Sequence, residues 1–178
     1  MVLLYKLPER QLIKLQTFLP YKSFTKSAKE LDSKRLNKQI LECYQILKVL
    51  SSDDPKAAWR NHPAVKMWKS HEFALWKYVQ AMIVEANTRN IKTDKNLNNL
   101  IELRDVKGKK WGLRNPKWMS DKTLMKYVTT THKANLFIKD QVLYSQFRDS
   151  VTDKYNQPCC PDCKYFWVAH YYREKVTQ

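Results

Sequence analysis

The chain has 178 residues, with 33 Lys or Arg against 17 Asp or Glu, which gives a formal net charge of +16 and a pI near 9.7. That length suits one domain with a substantial core, and 43% hydrophobic and 12% aromatic residues exclude a disordered basic tail. Such a charge surplus concentrates polyanions, so DNA, RNA or an anionic surface is the expected partner, while no apolar run approaches the ~20 residues of a membrane span.

The opening Met1–Arg10 has too short an apolar stretch for a signal peptide, so an intracellular, reducing compartment is expected, with Cys43, Cys159, Cys160 and Cys163 as thiols. Two glycines, Gly108 and Gly112, are too few for phosphate-cradling loops or hairpin-rich β architecture. The fold class expected is mainly α, a compact single domain with long loops.

In chain order, Ser27–Leu50 reads as one helix with Leu36, Ile40, Cys43, Leu47 and Leu50 on its core stripe. Arg35, Lys38, Gln39 and Glu42 fall on the opposite stripe, where the Glu42 carboxylate should face a basic cleft and be kept ionised by the charges near it. The run Ser51-Ser52-Asp53-Asp54-Pro55 ends it. A second helix is expected from Pro63 to Thr88, burying Trp68, Leu75, Val79, Met82, Ile83 and Ala86, with Lys66, Lys69 and Lys77 outside. Shorter helices follow over Asp94–Arg104 and Asp121–Lys139, separated by the basic loop 107–112. Most of Trp111, Trp118, Tyr165, Phe166 and Trp167 should be core, with one or two near a nucleic acid. His71 is read as a core or helix-face residue without function. The Cys159/Cys160/Cys163 knuckle, with His170 after it, lacks the second ligand pair of a structural zinc site, so no metal is expected.

Three blocks then carry a resemblance. The first runs Gln16-Thr17-Phe18-Leu19-Pro20-Tyr21, Ser27-Ala28, Leu31-Asp32 and Arg35-Leu36-x-Lys38-Gln39. The second is Trp59-Arg60-Asn61-His62-Pro63-Ala64-Val65-x-Met67-Trp68. The third is His132-Lys133-x-Asn135-Leu136-x-x-Lys139-Asp140, followed by Tyr144, Phe147 and Tyr165-Phe166-Trp167. Together they resemble the phage-type pyrimidine-dimer DNA glycosylases, most of all their bacterial branch. The resemblance implies a helical domain over 16–170, an N-terminal extension over 1–15 and a tail over 171–178. It also implies a monomer on damaged duplex DNA that cuts the glycosidic bond and then nicks the backbone, with no metal or organic cofactor.

In that family the nucleophile is the α-amino group exposed by Met removal, which here implies Val2, and the key carboxylate falls at Glu42. Such chemistry needs an unprotonated amine for the sugar C1′ and a carboxylate beside the cationic sugar. Fifteen residues precede the family-like region, so Val2 reaches the site only if they fold back. Lys38, one turn before Glu42 and crowded by Arg35, is the alternative amine; its plain reading is an i,i+4 pair with Glu42. Arg35, Lys38, Arg60, His62, His132, Lys133 and Lys139 are the expected DNA-side residues. For His62 a helix cap is the competing reading, and for His132 a buried hydrogen-bonded role. The function expected is a DNA-repair glycosylase and AP lyase. The alternatives are a DNA- or RNA-binding protein that keeps the fold without the nucleophile, or a glycosylase for another modified base.

Overall fold

The computed structural model describes residues 15–154 and 165–176. Residues 15–20 have no regular structure yet are buried throughout, so their backbone donors need internal partners. Phe18 N–H donates to Gln39 Oε1 and Leu19 N–H to His132 Nδ1, both at 2.7 Å, while the Trp68 indole donates to Thr17 Oγ1 at 3.1 Å. Leu15 and Gln16 therefore belong to the packed body.

Two helices, α1 (Phe24–Glu30) and α2 (Ser33–Leu50), stand where the periodicity predicts one. Asp32 divides them, because its extended backbone and its carboxylate, accepting from Arg35 N–H at 3.0 Å, start a new helix. The helix expected over Pro63–Thr88 is also split, into α3 (Pro63–Lys66) and α4 (Glu72–Thr88). Ser70 between them has φ 65°, and its N–H donates to Glu72 Oε1 at 3.0 Å. Then come α5 (Asp94–Lys107), α6 (Lys117–Ser120) and α7 (Lys122–Lys139). The last two are α8 (Ser150–Lys154) and α9 (Val168–Val176), and α9 runs through the expected tail boundary at 170/171. No strand occurs among the described residues, and the fold is mainly α as expected.

α4 packs against α2 and α1, α5 lies on α2, α7 receives α6 and α8, and α9 meets α3. Leu36, Ile40, Cys43 and Leu47 are fully buried, as are Trp68, Leu75, Val79, Met82 and Ala86, while Ile83 is nearly so. Each such aliphatic side chain contributes ~1.5–3 kcal/mol. Leu50 is only half-buried.

The stripe of α2 opposite its core face is open to solvent only in part. Lys38 is exposed and Arg35 half-buried, but Gln39 and Glu42 are 0% and 2% exposed. The segment 15–20 lies over this side of α2, with Phe18 N–H bound to Gln39, so a face that is polar in sequence is covered in the fold.

Candidate active site

Glu42 is a buried carboxylate whose two oxygens have different surroundings. Oε2 accepts from Gln39 Nε2 at 2.7 Å. Oε1 has no hydrogen-bond partner among the described residues and lies 3.6 Å from Lys38 Nζ, too long for a hydrogen bond but close enough to pair charges. Burial pushes the Glu42 pKa from near 4.5 up to about 7, against the opposing pull of Lys38, Gln39 and Lys139. A carboxylate held ionised by its cationic neighbours is therefore not what the fold provides. Desolvation outweighs the nearby charges, and near neutrality Glu42 exchanges a proton.

Gln39 fixes this arrangement. Its Oε1 accepts from Phe18 N–H at 2.7 Å and faces the Tyr78 hydroxyl at 2.9 Å; that hydroxyl also stands 2.7 Å from Phe18 O. A backbone N–H can only donate, so the amide oxygen must face Phe18 and the amide nitrogen must face Glu42. A proton on Glu42 is thereby directed to Oε1, the oxygen nearest Lys38.

Around this pair stand groups from α2, from α7 and from the irregular segments that hold Tyr144 and Tyr165. Arg35 forms an ion pair with Asp32, whose Oδ2 also accepts from the Tyr144 hydroxyl at 2.7 Å. These bonds hold the Asp32 carboxyl below its usual range in spite of burial. The Tyr165 hydroxyl is raised by burial and then by the Glu42 charge, which places Tyr165 near the carboxylate. Exposed Lys139, at the end of α7, lowers the Glu42 pKa through its charge.

The other expected DNA-side residues make contacts of their own. Half-buried Arg60 donates through Nη2 to Ser52 O at 2.6 Å. His62 caps α3, with Nδ1 accepting from Ala64 N–H at 3.1 Å, and burial followed by the nearby His170 lowers its pKa. His132 is fully buried, and burial drops its pKa to about 3. Because Leu19 N–H donates to Nδ1, the neutral ring carries its proton on Nε2, 2.9 Å from the Gln16 amide. Gln16 Nε2 donates to the Thr17 carbonyl at 3.2 Å, and the buried Gln16 amide oxygen has no hydrogen-bond partner among the described residues. His132 thus follows the buried, hydrogen-bonded reading: it touches no solvent and stays neutral at physiological pH. The half-buried Lys133 ammonium lies 4.8 Å from the Tyr21 ring centroid and 5.7 Å from that of Phe147. Its pKa is lowered by burial and then by Lys26. His71 stands at the start of α4, its Nδ1 2.9 Å from Arg114 O.

Val2, Cys159, Cys160 and Cys163 lie outside the described residues. Among the described residues, no group of three or more His, Cys, Asp or Glu is placed to hold a metal ion. Trp111, Trp118, Phe166 and Trp167 are buried and Tyr165 is half-buried. Sequence reasoning missed the Asp32–Tyr144 linkage and the role of Gln39, whose amide lies within the first block without any mark of what it binds.

Residues 15–99 match the family model for pyrimidine dimer DNA glycosylase. The matched segment contains Arg35, Lys38, Gln39, Glu42, Arg60 and His62, and excludes His132, Lys133 and Lys139. No curated protein and no solved structure matches the chain.

Proposed function

We propose that this chain, with its pyrimidine dimer DNA glycosylase segment, is a DNA-repair glycosylase and AP lyase that removes damaged pyrimidines, pyrimidine dimers first, from duplex DNA. The observation carrying this reading is the Lys38–Glu42 pair, an exposed amine 3.6 Å from the free oxygen of a buried carboxylate. Proton transfer from Lys38 to Glu42 Oε1 leaves a neutral amine beside a neutral acid, a pair with no desolvated charge. The amine attacks the sugar C1′, the glycosidic bond breaks and the base leaves with a proton. Sugar-ring opening then gives an iminium on the Lys38 nitrogen. Loss of a C2′ proton breaks the C3′–O bond and nicks the strand. Glu42, with a pKa of about 7, is matched to carrying the protons of these steps. Arg35 and Lys139 supply positive charge at the site, and Arg60, His62 and Lys133 are further DNA-side residues.

Borohydride reduction on ultraviolet-irradiated duplex tests the reading, because it freezes the imine as a covalent adduct that peptide mapping locates. The expected adduct is on Lys38 and disappears in Lys38→Ala. An adduct on Val2 would move the nucleophile to the N-terminal amine and keep the glycosylase. Binding without any adduct would leave a DNA-binding protein in place of an enzyme.

A further inference from the structure

A cavity of about 270 Å³ opens where α3, α6 and α9 come together. Lys66, Lys69 and Lys117 line it from the end of α3, from the turn that follows and from the start of α6. Local bonds fix that convergence. Lys69 N–H donates to Lys66 O at 3.3 Å, which keeps these two lysines in one turn, and the Trp118 indole donates to Met67 O at 3.2 Å, tying α6 to the end of α3. His71, also in the lining, donates from Nδ1 to Arg114 O at 2.9 Å, since a carbonyl only accepts, and so holds the chain before α6 to the start of α4.

Ammonium groups drawn to one cavity repel each other unless an acid balances them. Among the described residues no Asp or Glu lines the cavity, and none of the three exposed lysines forms an ion pair. Glu72 and Asp121, the acids nearest them in sequence, accept instead from the backbone N–H groups of Ser70 and Gly112 and of Thr123 and Leu124. The charge that would balance the lysines has to come from a ligand. The rest of the lining is apolar or aromatic, with Met67 and Trp118 buried and Tyr172 left 44% exposed. Cations beside an available ring are the chemistry that holds a nucleotide, phosphate on the ammonium groups and base on the ring. Charge also selects among phosphates: a phosphomonoester carries about −1.5 to −2 at neutral pH, more than the single charge of a diester within a strand, so a set of three lysines favours the monoester.

We propose that this cavity binds a nucleotide by its terminal phosphomonoester, held by Lys66, Lys69 and Lys117, with the base against Tyr172. Two sources share that chemistry, a free nucleotide and the 5′-phosphate end that strand nicking leaves. Only the second source rests on the reading of Lys38 and Glu42 as the reacting centre; the site itself does not.

Calorimetric titration of the full chain, at one low salt concentration and neutral pH, compares thymidine 5′-monophosphate with thymidine and with the methyl ester of the same phosphate. The monophosphate should bind about tenfold or more tighter than thymidine and about threefold tighter than the ester. Lys66→Gln, Lys69→Gln and Lys117→Gln together should weaken it about tenfold or more, while Arg at the same three positions should keep it within about threefold. A charge-matched control, Lys29→Gln, Lys92→Gln and Lys95→Gln at exposed positions outside the cavity, should change it less than about twofold. Tyr172→Ala should weaken the monophosphate and leave inorganic phosphate unchanged. Equal binding of thymidine or of the ester, equal losses in the two Gln triples, or an unchanged affinity in Tyr172→Ala would each overturn the assignment. A short thymidine oligonucleotide with and without a 5′-phosphate then identifies the source: a preference of about fivefold or more for the phosphorylated strand assigns the strand end, and no preference, with monophosphate binding intact, assigns the free nucleotide. Failure of borohydride trapping with monophosphate binding intact would remove the glycosylase reading and leave this site standing.

Discussion

Glu42 and His132 are buried ionisable side chains whose pH effects oppose each other. Glu42 has its folded pKa raised to about 7 from near 4.5, so its contribution to stability is fully present below ~4.5 and is lost as pH rises through ~7. His132 has its folded pKa lowered to about 3 from 6.5, so its contribution is present above ~6.5 and is lost as pH falls toward ~3. Moving from pH 7 to pH 5 therefore gains roughly 2 kcal/mol from Glu42 and loses roughly 2 kcal/mol from His132. Replacing Glu42 by Gln removes the first effect and exposes the second. Urea unfolding at the two pH values should show the Gln variant losing roughly 2 kcal/mol more than the parent on acidification. Parallel pH profiles would mean that Glu42 titrates normally. Gln39 lends itself to a separate check, since its hydrogen bond favours the ionised form of Glu42. In Gln39→Leu the Glu42 carboxyl, followed by NMR with carbon-labelled glutamate, should titrate above its parent value; an equal or lower value would deny Gln39 this role.

The elements that carry these side chains depend on short connections whose geometry is set from a distance. Gly112 illustrates this at the start of α4. Its N–H donates to Glu72 Oε2 at 2.8 Å, and its carbonyl accepts from Phe73 N–H at 3.3 Å. A Cβ there would stand 1.9 Å from Ser70 O and 2.5 Å from Ser70 C, both backbone atoms that Glu72 helps fix. Gly112→Ala should therefore cost roughly 2–4 kcal/mol, read as a lower midpoint in thermal or chemical unfolding; a loss below about 1 kcal/mol would show that this contact yields freely. Such contacts also mark where the sequence was legible. The expected helix over Asp121–Lys139 agrees with α7 to one residue, because Asp121 caps it locally through the N–H groups of Thr123 and Leu124. The long Ser27–Leu50 and Pro63–Thr88 readings missed breaks at Asp32 and Ser70. Asp32 is held as a cap partly by Tyr144, 112 positions away, and the left-handed Ser70 precedes a Glu72 that also binds Gly112. Hydrophobic spacing found the core stripe of α2 for the same local reason. It could not show that Gln39 and Glu42 are covered, since the segment that covers them comes from before the helix and no helical period records it.

At the scale of the whole molecule, the +16 charge favours polyanions, and the proposed function makes duplex DNA the one to test. Away from Glu42, a groove of about 300 Å³ is bordered by Lys22, Lys122, Lys126 and Lys133, with Pro20, Tyr21, Met119 and Met125 in its lining. Lys22, Lys122 and Lys126 are exposed, free to meet phosphates with little desolvation cost, whereas Lys133 is half-buried against aromatic rings and does more to hold the groove together. Each phosphate neutralised on duplex DNA contributes ~0.9 to the slope of log affinity against log salt, so a face that engages six or more should give a slope near −5 or steeper. Replacing Lys22, Lys122 and Lys126 together by Ala should make the slope shallower by roughly 2–3 units and weaken paired and damaged duplexes alike, because phosphate contacts carry no base information. Binding titrations from low to moderate salt measure both quantities. A parent slope shallower than about −2 would deny the basic surface its role in DNA affinity. A triple variant with the parent slope would mean that the strand follows another path, and a loss confined to damaged duplex would place the three lysines at the lesion instead of along the backbone.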